Sequence, residues 1–190
     1  MNRRYKCLPL LEFTDGNYQL IPIRDEDKYT IMRWRNEQID ILRQKELLTK
    51  EKQEWYFKNI VNKLFEEEKP NQLLFSFFEN GTLIGYGGLV HIDWESKNAE
   101  ISFITATERN KDETLFRADF NNYLNIFLPI AFDLLKFIKV HTTFYDISER
   151  RVYKTIVEEF KFIREGNLKN HILIGGKVEN QLIYSCFSKS

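Results

Sequence analysis

The sequence has no surplus of charge of either sign. It carries 28 Lys and Arg against 28 Asp and Glu in 190 residues, which gives a formal net charge of zero. A basic surplus is the usual electrostatic signature of nucleic-acid binding, so we expect no nucleic-acid partner. No segment reaches the roughly 20 apolar residues of a membrane helix, and Pro9 and Glu12 interrupt the apolar run near the start. We therefore expect a cytoplasmic protein that makes no membrane contact.

Cysteine, proline and glycine are also scarce. Two cysteines, Cys7 and Cys186, lie at opposite ends of the chain, which favours reduced thiols over a disulfide framework. The three histidines lack the spacing of metal ligands, so no metal site is expected. Four prolines and eight glycines form no linker. We expect a single domain over residues 1–190, with residues 1–17 as an N-terminal extension or an extra strand.

The hydrophobic pattern predicts a mixed α/β chain. Period-2 and β-branched runs predict strands at residues 10–13, 18–23, 73–78, 82–92, 99–105, 140–145, 162–168, 172–174 and 182–187. Asn80-Gly81 fits a type I′ turn, because both positions take positive φ. Helices are expected after N-caps at Asp25, Thr49 and Ser148. A longer helix over residues 115–137 should kink at Pro129.

Several local strings match one known superfamily in order and spacing. They are residues 20–27 (LIPIRDED), 32–36 (MRWRN), 81–89 (GTLIGYGGL), 99–103 (AEISF), 131–135 (AFDLL) and 160–166 (FKFIREG). Together they resemble the GNAT superfamily of acetyl-CoA-dependent N-acetyltransferases over residues 18–187. The similar branch holds ribosomal-protein N-terminal and amino-sugar-nucleotide N-acetyltransferases.

The resemblance implies a fold and an activity. The fold is a mixed, mostly antiparallel sheet of about seven strands with flanking helices. The activity is transfer of acetyl from acetyl-CoA, as co-substrate and without a metal, to a primary amine by direct attack. The acceptor would be a small molecule, such as an amino-sugar nucleotide, or a protein N-terminus. A homodimer is a further assembly to consider.

One stretch departs from the superfamily pattern. The phosphate loop of relatives reads Arg or Gln, two residues, Gly, one residue, then Gly or Ala, whereas residues 108–114 here (ERNKDET) contain no glycine. Glycines let backbone N–H groups at a helix N-terminus approach a pyrophosphate. Asp112 and Glu113 could instead occupy that positive helix end. The resemblance places the cofactor at Arg109, Asn110, Lys111 and Thr114, and along the strand at Phe103, Ile104 and Thr105.

The missing glycines leave a second function open. The chain could be a GNAT-fold binding or interaction module that has lost catalysis. Backbone N–H groups that point into an open cleft would favour the enzyme, whereas acidic side chains that cap the helix would favour the module.

Three side chains are candidates for proton transfer. Glu100 is the candidate base, with the alternative that it is a strand carboxylate paired to a Lys or Arg. His91 could relay a proton, although a lone histidine is more often a surface residue. In relatives the strands that correspond to residues 99–105 and 140–145 diverge around the pantetheine arm of the cofactor, so the same divergence is predicted here. Relatives commonly use a Tyr as acid on the helix after the second of these strands; here Tyr153 lies one turn before the usual position, and Tyr145 competes with it.

The acceptor site is expected to involve two segments. Trp34, Arg35 and Asn36 lie where relatives form the acceptor pocket, and an Arg there could pair with a phosphate or carboxylate. Asp93 and Trp94 could shape the same pocket. A solvated helix face is the alternative for the first segment.

Overall fold

The computed structural model describes residues 3–189, so Met1, Asn2 and Ser190 lie outside it. Its centre is one mixed sheet of eight strands in the order β1-β2-β3-β4-β5-β6-β8-β7. The strands are β1 (Phe13–Asp15), β2 (Tyr18–Pro22), β3 (Leu73–Glu79), β4 (Thr82–Asp93), β5 (Asn98–Thr105), β6 (Lys139–Tyr145), β7 (Ile163–Ile174) and β8 (Lys177–Phe187). The β5–β6 pair is parallel, and the other pairs are antiparallel. The expected fold class is confirmed, with eight strands.

Six α-helices flank the sheet within the described residues. They are α1 (Lys28–Glu37), α2 (Lys50–Tyr56), α3 (Asn62–Leu64), α4 (Thr107–Lys111), α5 (Glu113–Pro129) and α6 (Arg151–Glu159). A π-helical segment, Phe57–Val61, joins α2 to α3, and another, Ile130–Leu134, extends α5. Pro129 has no N–H to donate, so the helix changes its hydrogen-bond pattern directly after it, where a kink was expected.

The predicted helix starts are correct at one of three positions. Thr49 caps α2, because its hydroxyl accepts from the backbone N–H of Lys52 at 3.3 Å. Asp25 and Ser148 were wrongly predicted as N-caps, since each begins a short 3₁₀ turn that precedes the helix. Asp25 instead pairs with Lys28 at 2.8 Å, and Ser148 binds Glu149.

The two strands predicted at residues 162–168 and 172–174 form one strand, β7. The register against β8 shifts between Leu168 and Ile172, so the break in the pattern is an irregularity within the strand. The predicted hairpin at Asn80-Gly81 is confirmed, with φ of 49° and 75°. At the other end, β1 pairs with β2 and supplies the extra strand expected before residue 18.

The core lies between the sheet and α5 and is built from aromatic rings. Phe103 of β5 contacts Phe120 and Tyr123 of α5, with ring centroids 4.9 and 4.6 Å apart. Side chains alternate along a strand, so Glu100, Ser102 and Ile104 lie on the opposite face. On that face Arg35 of α1 donates to the Tyr86 hydroxyl at 2.7 Å. The core therefore fixes β5 from one side and leaves the other to the site.

The sheet opens between β5 and β6. These strands pair at three positions, Asn98 with Lys139, Ala99 with Val140 and Glu100 with His141. Beyond these positions β5 continues to Thr105 and β6 to Tyr145, but the two strands no longer pair with each other. The predicted divergence of these strands is confirmed, and it leaves strand backbone on both sides of a gap.

Candidate active site

The gap between β5 and β6 holds a cavity of about 130 Å³. Its walls are β5, β6, the segment after α1 and the start of α6. The lining residues that carry chemistry are Arg35, Arg43, Glu100, Tyr145, Arg150 and Tyr153. Glu100 is the one carboxylate in this lining, which also includes three arginines.

Glu100 is paired to an arginine, as in the alternative considered for it, and it also lines the cavity in which a base would act. It is 4% exposed, lines the cavity and forms an ion pair with the guanidinium of Arg43. His91 Nε2 lies 3.7 Å from its other oxygen. The imidazole of His91 is 73% exposed, since φ of 51° at a bulge in β4 turns this residue outward. The carboxylate is thus held at the cavity wall with one histidine beside it.

A second histidine, His141, lies across from Glu100 on β6. Burial lowers the pKa of His141, because it penalises the charged imidazolium, and the nearby carboxylate of Glu100 offsets part of this effect. His141 is therefore held towards its neutral form beside the candidate base.

Tyr153 lies at the inner end of the cavity. Its hydroxyl is 2.6 Å from Thr142 Oγ1, and its ring stacks on Phe120 at 4.5 Å. Burial raises the pKa of Tyr153, so the phenol is protonated at neutral pH. Tyr145 also lines the cavity, and burial raises its pKa as well. Both tyrosines remain candidates for the acid.

The three α1 residues expected in the acceptor pocket lie in different surroundings. Arg35 lines the cavity, where it binds Tyr86 and Gln44. Trp34 is 2% exposed and belongs to the core, because it lies on the inward face of α1. Asn36 is bonded to the backbone of Leu48 in both directions, so it holds the segment between α1 and α2.

Asp93 and Trp94 lie away from the cavity lining. The carboxylate of Asp93 accepts from the backbone N–H groups of Glu95 and Ser96 and closes the turn after β4. The indole of Trp94 donates to the carbonyl of Pro70 at 2.8 Å and contacts the ring of Phe137. Their contacts are structural, and the expected acceptor role gains no support from them.

The expected phosphate site is filled by the protein itself. The carboxylate of Asp112 caps α5 and accepts from the backbone N–H groups of Thr114 and Leu115 at 2.9 and 3.0 Å. The side chain of Arg109 points inward and binds Asp119 at 2.5 Å and Glu79 at 2.9 Å. These contacts raise the pKa of Arg109, and its positive charge is already paired with two carboxylates. By the criterion given above, this segment favours the binding module, whereas the open gap favours the enzyme.

The remaining residues of the expected cofactor site differ in whether they reach the cavity. Phe103 and Ile104 line the cavity along β5. Thr105 is fully buried, and its hydroxyl binds the Ile84 carbonyl and Asp119. Asn110 donates its backbone N–H to Ala106 within α4, while Lys111 is exposed. The short helix α4 therefore occupies the segment where the superfamily pattern places the glycine loop.

Sequence reasoning missed two cavity residues, Arg43 and Arg150. Arg43 lies 57 residues from Glu100, and no local pattern links them. Arg150 stands in the charged run Glu149-Arg150-Arg151, which is typical of a solvated helix start. Only the tertiary structure brings them into the gap.

Within residues 3–189, no helix is long and apolar enough to cross a membrane. In the same part of the chain, no cluster of His, Cys, Asp and Glu has an arrangement that could hold a metal ion.

Comparisons with known proteins agree with this fold. The chain superposes on spermidine N-acetyltransferase from Vibrio cholerae in complex with CoA and spermine, with a TM-score of 0.75, 18% identity and coverage of 92% of this chain and 97% of that one. It also superposes on ribosomal-protein-S5-alanine acetyltransferase from Vibrio fischeri, with a TM-score of 0.72, 14% identity and coverage of 95% and 98%. No curated protein matches the sequence.

The family model of the acetyltransferase (GNAT) domain matches residues 20–177. That range runs from β2 to the start of β8 and includes the whole gap between β5 and β6. The chain therefore belongs to the acetyltransferase (GNAT) domain family, which is a family of acyltransferases.

Proposed function

We propose that this protein transfers acetyl from acetyl-CoA to a primary amine, and that the gap between β5 and β6 holds the reacting groups. The observation that carries the proposal is the loss of pairing after Glu100 and His141, which leaves a cavity with a carboxylate at its wall. Unpaired strand backbone offers hydrogen-bond donors and acceptors to an extended thioester arm. The Vibrio cholerae neighbour, which shares this fold, was solved with CoA.

In the proposed reaction the amine nitrogen attacks the thioester carbonyl carbon. The C–N bond forms, the C–S bond breaks, and the nitrogen loses one proton while the departing thiolate gains one. Glu100 accepts the proton, directly or through a water, and Tyr153 donates one to the sulfur. Protonation of Tyr153 at neutral pH suits a donor. Tyr145 is the alternative donor, since it lines the same cavity.

The phosphates of acetyl-CoA need a site other than the one used by glycine-loop relatives, or need Asp112 to move. The Asp112 carboxylate already accepts from the first N–H groups of α5, and Arg109 is bound to Asp119 and Glu79. This geometry favours a second candidate function, in which the fold binds a ligand but no longer transfers acetyl.

Two measurements on the full chain separate these functions. Calorimetry at low salt measures acetyl-CoA binding, and thiol release from acetyl-CoA measures turnover with a panel of amines. The panel contains a polyamine, a peptide with a free N-terminus, an amino-sugar nucleotide and an amino acid. Binding with turnover of any amine supports the proposal. Absence of both would assign the chain to the binding module.

The acceptor, the assembly and the compartment are parts of the same proposal. The two neighbours are a spermidine N-acetyltransferase and a ribosomal-protein-S5-alanine acetyltransferase, so amines of different size and charge suit this fold. For the assembly we propose a homodimer. One neighbouring structure is dodecameric, which supports a test of self-association by sedimentation velocity. Balanced charge and two free thiols favour a cytoplasmic location.

A further inference from the structure

Arg150 is a buried cation without a carboxylate partner. It is 7% exposed, lines the cavity and forms no salt bridge with any carboxylate of residues 3–189. Its Nε atom is buried and has no hydrogen-bond partner. Among the described residues, the one hydrogen bond of its side chain is long, from Nη2 to the carbonyl of Ile41 at 3.4 Å. The guanidinium carbon lies 5.2 Å from the centre of the Tyr153 ring.

The position of Arg150 adds to the cost of its burial. It directly precedes α6, so it stands at the positive end of a nine-residue helix, where a cation is disfavoured. Burial lowers the pKa of Arg150, which reflects the same penalty on the charged form. Buried charges in proteins are normally paired or bind a ligand. The uncompensated charge therefore points to a group that the protein alone does not supply.

The rest of the lining offers no anion for Arg150. Glu100 is the one carboxylate among the lining residues, and it is already paired with Arg43. Arg35 contributes a third positive charge and binds the neutral oxygens of Tyr86 and Gln44. The cavity thus contains three guanidinium groups and one carboxylate, so its interior has a positive potential.

We propose that Arg150 binds an anionic group, a carboxylate or a phosphate, that a ligand brings into this cavity. The proposal rests on the proposed function for the identity of the ligand, which is either the amine acceptor or acetyl-CoA. A planar guanidinium whose Nε has no partner suits both groups, because it can donate two parallel hydrogen bonds. A polyamine carries only positive charge and is disfavoured by the same lining.

The first experiment tests the anion site without any acetyl transfer. Inorganic phosphate and pyrophosphate are titrated into the native protein, Arg150→Gln, Arg150→Lys and Arg151→Gln at low salt, and the melting temperature is followed. Arg151 is the matched control, since its side chain is 75% exposed and pairs with Glu113 on the surface. A ligand that binds only the folded state raises the melting temperature with its concentration.

The native protein and Arg151→Gln should show this rise, Arg150→Gln should lose it, and Arg150→Lys should recover part of it. Without phosphate, Arg150→Met should melt above the native protein, because it removes an uncompensated buried charge. An equal rise in the native protein and Arg150→Gln would overturn the proposal. So would a native protein that neither anion stabilises.

The second experiment identifies the source of the anion. Calorimetry gives the dissociation constant of acetyl-CoA, and steady-state kinetics gives KM for an amino acid and for its uncharged amide. If Arg150 binds a cofactor phosphate, Arg150→Gln weakens acetyl-CoA binding about tenfold or more and leaves both acceptor KM values unchanged. If it binds the acceptor, KM rises for the amino acid and not for the amide. If the dissociation constant and both KM values stay unchanged, the proposal is overturned. Absence of turnover in the native protein would contradict only the proposed function.

Discussion

At the scale of single residues, the sequence indicated Glu100 as a candidate base but did not predict the residues around it. A carboxylate between apolar neighbours on a predicted strand is unusual, and this local signal was sufficient to select it. Its partner Arg43 comes from a segment 57 residues away, and His141 reaches it only through the pairing of β5 with β6. Such contacts follow from the closed fold, so no periodicity in the sequence could show them.

Replacement of Glu100 tests its role as the base. We expect Glu100→Gln to lower kcat about 100-fold, with little change in acetyl-CoA affinity, because proton removal is a transition-state role. His91→Gln is the comparison, since His91 is 3.7 Å from the carboxylate but largely exposed; we expect it to retain most of the activity, which would rule out the proton relay considered for His91. Steady-state rates from pH 6 to 9 and calorimetry measure both effects. An unchanged rate in Glu100→Gln would leave this residue as the ion-pair partner of Arg43.

His141 predicts a pH dependence of stability. Burial lowers its pKa in the folded state below the value near 6.5 of an exposed histidine. The unfolded chain therefore binds more protons in this range, and the free energy of unfolding falls as the pH drops through about 6.5. His141→Gln should make the free energy of unfolding less dependent on pH between about 7 and 5.5.

Urea unfolding at several pH values measures this slope. His171→Gln is the control, because His171 is exposed on β7. A native slope that persists in His141→Gln would show that other groups, such as Glu165 near Lys139, set the acid response.

At the scale of elements, turn chemistry was predictable and helix starts were less so. The Asn80-Gly81 hairpin and the Thr49 cap depend on residues within a few positions of each other. Asp25 and Ser148 are suitable caps by residue type, but 3₁₀ turns precede α1 and α6 and move the helix start by two residues. Asp25 also pairs with Arg3, which is 22 residues away, and no local pattern predicts this contact.

The start of α5 predicts a charge effect on cofactor binding. Asp112→Ser keeps a side chain that caps the helix and removes the negative charge from its N-terminus. If the phosphates approach this end of α5, we expect acetyl-CoA binding to tighten about fivefold, or about 1 kcal/mol, at low salt, and less at high salt. Calorimetry at two salt concentrations measures both.

Glu113→Gln is the matched control for Asp112→Ser. Glu113 is the next residue, but its side chain is exposed and pairs with Arg151 rather than capping the helix. It should change acetyl-CoA affinity less than Asp112→Ser does. Equal affinities of Asp112→Ser and the native protein at low salt would place the phosphates away from this helix end.

At the scale of the whole molecule, the short helix α4 is joined to the sheet by a buried ion network. Asp119 of α5 is fully buried and binds both Arg109 and the Thr105 hydroxyl, while Arg109 also reaches Glu79 at the end of β3. The sequence places Arg109 where relatives bind phosphate, so its inward role was not predictable. The network ties β3, β5, α4 and α5 together beside the opening of the gap.

Asp119→Asn should destabilise the entire fold. The change leaves Arg109, whose side chain is 16% exposed, with Glu79 as its one carboxylate partner. Breaking a buried ion pair from one side typically costs about 3 kcal/mol or more. For a chain of this length that corresponds to a drop of about 6 °C or more in Tm.

Arg117→Gln provides the comparison for Asp119→Asn on the same helix. Arg117 pairs with Glu159 at 2.8 Å, but both side chains are about half exposed, so we expect a loss of about 1 kcal/mol or less. Thermal and urea unfolding of both variants give the two free energies. If Asp119→Asn costs no more than Arg117→Gln, the network contributes no more than a surface pair. The position of α4 would then depend on the apolar contacts of α5 with β5, which Phe116→Ala would weaken.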